Sequence, residues 1–277
     1  MLVIQNLSQL RQYRELKGSI ALVPTLGNLH EGHLSLVRHA LDEGERVLVS
    51  IFVNPLQFGA GEDFERYPRT LEADFAKLES IGTDAVFTPD LSMLYPFRQT
   101  VLIRPSDLAS DLCGVTRPGH FAGVATVVLK LFNLTRPEVA LFGKKDYQQL
   151  FIIQEMVEQL NVPVRIVGIE TVRDLDGLAL SSRNSYLSVS ERAEAPMLYA
   201  TLQEVVQKIS SGKDGYEMLC EAATRKMRDK GWQVEYVTIR DSGTLQLPEQ
   251  GCNRLVILAA VWIGKTRLID NIEFICD

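Results

Sequence analysis

The stretch Ile20-Ala21-Leu22-Val23-Pro24-Thr25-Leu26-Gly27-Asn28-Leu29-His30-Glu31-Gly32-His33 decides how the rest of the chain is read. Its first four residues form the unbroken apolar run that a buried strand requires. Pro24, Thr25, Gly27 and Asn28 interrupt that run. Leu34, Val37 and Leu41 then recur at helical spacing, with Leu36 and Ala40 beside them. The pattern predicts a strand that breaks into a helix, with Asn28 as N-cap and Glu31 as its capping-box partner. His30 and His33 fall near the first turn, three residues apart and therefore on one helix face. The unpaired N–H groups and positive dipole end of such a turn attract an anion, typically a phosphate.

Outward from this stretch, strand-like and helix-like segments alternate over about the first 170 residues. Strands are expected at 19–23, 46–53, 84–88, 100–104, 137–142 and 164–169, and helices at 32–43, 71–81, 122–134 and 147–160. The strands are rich in Val, Ile and Leu on both faces, as in a parallel sheet covered on both sides. Ligands of such sheets bind beyond the carboxyl ends of the strands. Past Val172 the pattern changes to two helices, 191–210 and 216–230, and three alternating strands, 233–240, 254–263 and 266–274. The expected fold class is α/β: a Rossmann-like parallel-sheet domain over 1–171, then a smaller α+β domain with antiparallel strands over 172–277. The segment 174–184 links them and is expected to line the site.

Bulk properties narrow the class. The 277 residues are 46% hydrophobic and 23% charged, the balance of a globular enzyme. A formal net charge of −6 argues against a general nucleic-acid binder. No apolar run is long enough to span a bilayer, and Met1-Leu2-Val3-Ile4-Gln5 does not read as a signal peptide. Cys113, Cys220, Cys252 and Cys276 are scattered, as reduced thiols of a cytoplasmic protein would be. All four histidines precede residue 121, which puts the expected chemistry early in the chain.

A phosphoryl group under attack gains charge on its oxygens, and donors held ready for that charge lower the barrier. Two neutral imidazoles can supply such donors without the desolvation cost of two ammonium groups. On residue type alone, two other readings of the pair stay open. The histidines can be ordinary helix-surface residues, or they can bind zinc. The helical zinc-protease pattern spaces its histidines four apart, and here no cysteine pair or second histidine cluster accompanies them.

Further segments carry compatible chemistry. Asn54 and Gln57 follow a strand, and carboxamides suit a substrate bearing both hydroxyl and carboxylate groups; they can equally be turn residues. The segment 59–67, with Glu62, Asp63 and Glu65, can cover a site or be a solvated loop. Phe142-Gly143-Lys144-Lys145-Asp146-Tyr147-Gln148-Gln149 repeats the order strand, glycine, basic residues, helix start, and a lysine there reaches phosphate oxygens as a mobile charge. The alternative is a solvated charge cluster with Asp146 as N-cap. Leu180-Ser181-Ser182-Arg183 places two hydroxyls before an arginine, a polyphosphate clamp unlike the Walker loop, which the chain lacks. Arg117-Pro118-Gly119-His120 is a basic turn, structural or functional. Two histidines, a lysine and an arginine at strand ends are chemistry for binding ATP and releasing pyrophosphate.

With these segments the chain resembles the AMP-forming pantoate–beta-alanine ligases, the pantothenate synthetases, within the histidine-pair nucleotidyltransferase superfamily. The resemblance runs from about Ala21 to Leu187, more weakly beyond, and rests on segments 24–37, 52–70, 117–133, 142–150 and 171–187. It implies a homodimeric ligase that uses ATP and Mg2+. Pantoate and ATP form pantoyl adenylate and pyrophosphate; the amine of beta-alanine then attacks the acyl carbon, giving pantothenate and AMP. By motif position, Leu26, Gly27, Asn28, Leu29, His30, Glu31, Gly32 and His33 would hold ATP. His33 stands where a proton donor is usually described, beside the phosphate-binding His30; stabilisation of transition-state charge is the role favoured for both. Gly143, Lys144, Lys145, Asp146, Val172, Leu180, Ser181, Ser182 and Arg183 would complete the nucleotide site, with Lys145 and Arg183 carrying the phosphate charge. Gln57 and Gln149 would hold pantoate, with Asn54 beside them and Gln57 near beta-alanine. Asp74 matches an acidic position near Mg2+.

The chain departs from the family at Leu26 and Leu180, where methionine is common, and at Lys144, where glutamate is common. Ala73 stands where a second acid can occur. The competing functions are another nucleotidyltransferase with a different acceptor, a non-catalytic nucleotide sensor, and a zinc hydrolase.

Overall fold

Residues 1–212 and 215–276 are described in the computed structural model of the chain. Among them, strands β1 (Leu2–Ile4), β2 (Ile20–Thr25), β3 (Arg46–Ile51), β4 (Ala85–Phe87), β5 (Val139–Gly143) and β6 (Arg165–Ile169) form one sheet. Its order is β1-β4-β3-β2-β5-β6, and every pairing is parallel. The chain winds outward from β2 to one side through β3 and β4, and to the other through β5 and β6. The switch point therefore lies between β2 and β5, where a doubly wound sheet opens a ligand crevice at its strand ends.

The strand sequences explain the layering. Ala21, Val23, Val47, Val49, Val139 and Leu141 pack against Leu34, Val37 and Ala40 of helix α2 (Glu31–Glu43) and Leu78 of helix α3 (Leu71–Ser80). The alternate residues Leu22, Leu48, Ala140 and Phe142 face the opposite layer. That layer holds Leu10 and Tyr13 of α1 (Leu7–Glu15), Val124 and Leu131 of α6 (His120–Thr135) and Ile153 of α7 (Tyr147–Gln159). The two-residue alternation thus supplies both faces with apolar side chains, each buried aliphatic contributing about 1.5–3 kcal/mol. Short helices α4 (Leu91–Leu94) and α5 (Cys113–Thr116) lie in the connections.

Helices α8 (Val189–Glu194), α9 (Met197–Ser210) and α10 (Tyr216–Arg228) and strands β7 (Gln233–Asp241), β8 (Arg254–Ile263) and β9 (Thr266–Ile275) complete the described chain. The three strands form an antiparallel sheet in the order β7-β8-β9. Leu255, Ile257 and Val261 of β8 pack against Leu198 and Leu202 of α9 and Ala223 and Met227 of α10. The chain divides into two compact units: Met1–Lys144 with Gln148–Glu170, and Lys145–Tyr147 with the residues from Thr171 onward. The turn Lys145–Tyr147 thus belongs with residues far along the chain.

Four elements differ from expectation. The segment 100–104 is not a strand: Ile103 N–H donates to the Thr126 hydroxyl at 2.9 Å, so the chain runs over α6 instead of joining the sheet. The helix expected over 191–210 is two helices, because Pro196, the N-cap of α9, has no N–H to continue the ladder. Strand β1 and helix α1 stood outside the expected elements. No helix among the described residues is long and apolar enough to cross a membrane.

Candidate active site

In the first unit the segment after β2 is held by many contacts. Gly27 (φ 85°) and Asn28 (φ 51°) both adopt left-handed backbone, which turns the chain sharply. A Cβ on Gly27 would also lie 3.0 Å from Ile51 and 3.3 Å from the Asp74 carboxylate. The buried Asp74 side chain accepts from Asn28 N–H at 2.9 Å, Leu29 N–H at 2.8 Å and the Thr70 hydroxyl at 3.2 Å. Lys77 Nζ donates to the Leu29 carbonyl at 2.6 Å, and Thr25 Oγ1 accepts from Gly27 N–H at 3.2 Å. Asp74 and Lys77, one turn of α3 apart, therefore pin both polarities of the loop backbone.

The N-cap of α2 is His30, not Asn28, whose N–H is already committed to Asp74. His30 Nδ1 accepts from Gly32 N–H at 3.1 Å, and His30 N–H donates to His33 Nδ1 at 3.3 Å. The two rings thus replace the expected Asn28–Glu31 capping box, with their centroids 4.1 Å apart. Glu31 is exposed and pairs with Arg38. Because each ring accepts at Nδ1, a neutral imidazole at either position carries its proton on Nε2.

Asn54 caps, and Gln57 ends, a single 3-10 turn, Pro55–Gln57. Asn54 is fully buried; its amide nitrogen donates to Gln57 Oε1 at 3.0 Å and to the Gly123 carbonyl at 3.2 Å. Its oxygen accepts from Leu56 N–H at 3.3 Å and from the Tyr95 hydroxyl at 2.8 Å. Burial pushes the Tyr95 hydroxyl above its ordinary value, so it stays a donor. The hydrogen-bonding capacity of Asn54 is thus spent inside the protein, where it orients Gln57. The turn sits directly on α6, where a Cβ on Gly123 would fall 2.1 Å from the Leu56 carbonyl oxygen.

The turn 117–120 acts on the same residue. Arg117 donates to both Glu62 oxygens, at 2.8 and 2.7 Å, and to His120 Nε2 at 2.9 Å. His120 Nδ1 then donates to the Gln57 carbonyl at 2.7 Å. Burial raises the Glu62 carboxyl, but the Arg117 bonds and charge outweigh it and hold the group below the ordinary carboxylate range. The 59–67 segment is thereby latched to the Gln57 turn. Of the paired glutamines on α7, buried Gln148 spends its amide on Leu108, Asp111 and Cys113 backbone atoms, whereas Gln149 is half-buried without a side-chain partner among the described residues.

Lys144 also belongs to the first unit, where its ammonium pairs with Glu170. Lys145, Asp146, Val172 and 180–183 belong to the second unit. There Arg173 bridges to Ala179, and Leu180 N–H donates to the Val172 carbonyl at 3.0 Å, closing a tight hairpin. Arg173 forks onto Asp270 at 2.6 and 2.7 Å and lies 3.5 Å above the Tyr199 ring. From this base the chain enters the 3-10 turn Ser182–Tyr186, capped by Ser181 Oγ accepting from Arg183 N–H at 3.3 Å. The Lys145 carbonyl accepts from the Asn271 amide at 3.0 Å, while the Lys145 ammonium has no partner among the described residues.

No group of three or more His, Cys, Asp or Glu side chains among the described residues is arranged to hold a metal. Asp74, the acid expected near Mg2+, is occupied by two backbone amides and a hydroxyl. A family model described as pantoate-beta-alanine ligase matches residues 2–273. The chain belongs to the pantoate-beta-alanine ligase family. It is 56% identical over 274 residues to the pantothenate synthetase of Thiobacillus denitrificans, covering 99% of this chain and 97% of that protein. The crystal structure of pantothenate synthetase from Thermus thermophilus matches with a TM-score of 0.92 at 41% identity, over 98% of this chain and 99% of that one. The pantoate-beta-alanine ligase from Francisella tularensis, solved in complex with beta-gamma ATP and beta-alanine, matches with a TM-score of 0.83 at 36% identity, over 98% and 97%. The Rossmann-like expectation for the parallel sheet and the resemblance itself both hold. A zinc hydrolase, a sensor or a transferase with another acceptor is set aside by a ligase family that spans nearly the whole chain. Asp74, Lys77, Tyr95, Arg117 and His120 support the expected site residues through long-range contacts; of these, Asp74 drew attention by motif position and Arg117 with His120 by their clustering.

Proposed function

We propose that the chain condenses pantoate with beta-alanine in two steps. A pantoate carboxylate oxygen attacks the α-phosphorus of ATP, and pyrophosphate leaves. The beta-alanine amine, having lost a proton, then attacks the acyl carbon of pantoyl adenylate; AMP leaves with the carboxyl oxygen and pantothenate forms. The observation that carries this reading is the match of residues 2–273 to the ligase family.

Residues 26–33 cradle the triphosphate in this reading, with the Nε2–H groups of His30 and His33 directed at charge developing on the phosphoryl oxygens. The fixed backbone of that loop supports it, since donors already in place need no reorganisation at the moment of reaction. Lys145 and Arg183 neutralise phosphate charge, and Gly143, Lys144, Asp146, Val172, Leu180, Ser181 and Ser182 complete the nucleotide pocket. Gln57 and Gln149 bind pantoate, with Asn54 behind Gln57. The chain works as a nucleotide- and pantoate-binding domain over 1–171 followed by a smaller domain over 172–277. Mg2+ would enter with ATP on phosphate and water oxygens, the ligands it prefers, since no acidic cluster among the described residues is arranged to hold it.

Two copies pair as a homodimer; the apolar residues Phe97, Val101 and Leu102, 84%, 78% and 49% exposed, support a partner surface there. The free thiols support a cytoplasmic location. The test is AMP release measured with each substrate omitted in turn. AMP formation is expected to require both pantoate and beta-alanine, with pyrophosphate release requiring pantoate alone. Release of ADP, or turnover indifferent to pantoate, would overturn the proposal.

A further inference from the structure

Strand β9 presents alternate residues to its two faces. Asp270 lies with Leu268 and Ile272 on the face packed against the helices, and there it holds Arg173 at the base of the hairpin leading to Ser181 and Arg183. Asn271 and Glu273 occupy the opposite face. Asn271 donates its amide to the Lys145 carbonyl at 3.0 Å, and Glu273 accepts from the Tyr147 hydroxyl at 2.6 Å. Tyr147 donates also toward the Ser242 carbonyl, at 3.3 Å. These bonds span about half the chain, and they agree with the grouping of Lys145–Tyr147 in the second unit although β5 and the rest of α7 belong to the first.

We infer that Asn271 is a positioning residue for Lys145, and that β9 sets where the lysine ammonium meets phosphate. The inference deepens the proposed function and rests on its assignment of Lys145. A lysine ammonium rides on a flexible four-carbon stem, so its reach is defined only as well as its backbone is fixed. The Lys144–Asp146 turn is a single 3-10 turn between β5 and α7, too short to fix itself. Asn271 supplies the missing restraint on one side of Lys145, and Glu273 supplies it through Tyr147 on the other. Burial and the Glu273 carboxylate both raise the Tyr147 hydroxyl, which keeps it a donor near neutral pH.

The experiment is a double-mutant cycle on the full-length enzyme, read as single-turnover pyrophosphate release with saturating pantoate and ATP. Asn271→Ala and Tyr147→Phe are each expected to slow adenylation roughly three- to tenfold, the equivalent of one net hydrogen bond. The pantoate KM is expected to stay unchanged, since Gln57 and Gln149 lie in the first unit. In a Lys145→Ala background neither substitution is expected to slow the reaction further, because the group it positions is gone. A merely structural role would lower activity by the same factor in both backgrounds, and that result would overturn the inference. Adenylation unaffected by Asn271→Ala and Tyr147→Phe alone would overturn it also. If Lys145→Ala itself leaves adenylation at the wild-type rate, the assignment of Lys145 fails, and the positioning role falls with it.

Discussion

Asp74 separates two accounts of the same carboxylate. As a metal ligand it would face the nucleotide; in the structure it is buried, with both oxygens turned to the backbone of the histidine loop. Asp74→Asn keeps the side-chain shape but replaces one acceptor with an N–H donor. One amide, of Asn28 or Leu29, then loses its partner and meets a donor. An orphaned buried donor costs about 1–3 kcal/mol. Taking ~2 kcal/mol for the orphaned amide, the melting temperature should fall by about 4–8 °C. The loop carries His30 and His33 immediately after the affected amides, so the histidine donors shift with it. A displacement of about 1 Å at a reacting group can cost on the order of a hundredfold in rate. Adenylation should therefore fall by at least about tenfold, and raising Mg2+ should not restore it. Thermal unfolding and a Mg2+ titration of pyrophosphate release check the two halves. An unchanged or higher melting temperature, together with a raised Mg2+ requirement that excess metal overcomes, would refute the structural account and restore Asp74 to the metal.

Three other perturbations follow from particular contacts. Gly123→Ala places a methyl 2.1 Å from the Leu56 carbonyl oxygen, backbone against backbone, so it should cost about 1–3 kcal/mol or more and raise the pantoate KM while leaving the ATP KM alone; initial rates against each substrate test it. The Glu62 carboxyl is held low by Arg117, so its latch is complete at neutral pH and is lost as pH falls below the ordinary carboxylate range; limited proteolysis within 59–67 should rise in acid for the wild type and be high and pH-independent in Glu62→Gln. Asp270→Ala strands the Arg173 guanidinium, whose pair is buried (16% and 2% side-chain exposure), and should cost about 3–5 kcal/mol, seen in denaturant unfolding as a lower midpoint.

What could be read from sequence is what local pattern encodes. β2, α2, β5 and α7 were legible because each places its apolar residues at the period of its own structure and is bounded by Gly, Pro or a charged turn. β1 escaped because three residues, Leu2–Ile4, are too few to show a period; they become a strand only through parallel pairing with β4. The segment 100–104 is as β-rich as a true strand, but Thr126 on α6 takes its backbone donor at Ile103, a competition no window of sequence contains. The site divides the same way. The histidine pair announced itself by spacing and by its position after a strand. Its pin, Asp74, acts from 46 residues away, and Asn271 acts on Lys145 from 126 residues away. Asn54 looked like a ligand-binding carboxamide; it took Gly123, Tyr95 and Gln57 converging on one amide to reveal its role as a support.

The cap formed by the histidines bears on how His33 works. A true acid must hold a proton it can give up, and an imidazolium carries N–H on both nitrogens. His33 Nδ1 accepts the His30 N–H at 3.3 Å, so a protonated ring would set donor against donor at the helix start. The neutral ring fits the cap, and its Nε2–H can stabilise phosphoryl charge without leaving. Glutamine at the same position reproduces both contacts: its oxygen accepts from the N-cap N–H, as in an ordinary capping box, and its Nε2 donates outward. It has no proton to transfer near neutral pH. If charge stabilisation is the role, His33→Gln should retain most of the adenylation rate, while His33→Ala should lose about 10²–10³-fold, the scale for one transition-state donor. Single-turnover pyrophosphate release across pH 6–9 distinguishes the cases. A glutamine variant as slow as the alanine variant, with the wild type alone showing a rate that declines as a histidine loses its proton, would establish acid catalysis and sink the charge-stabilising role.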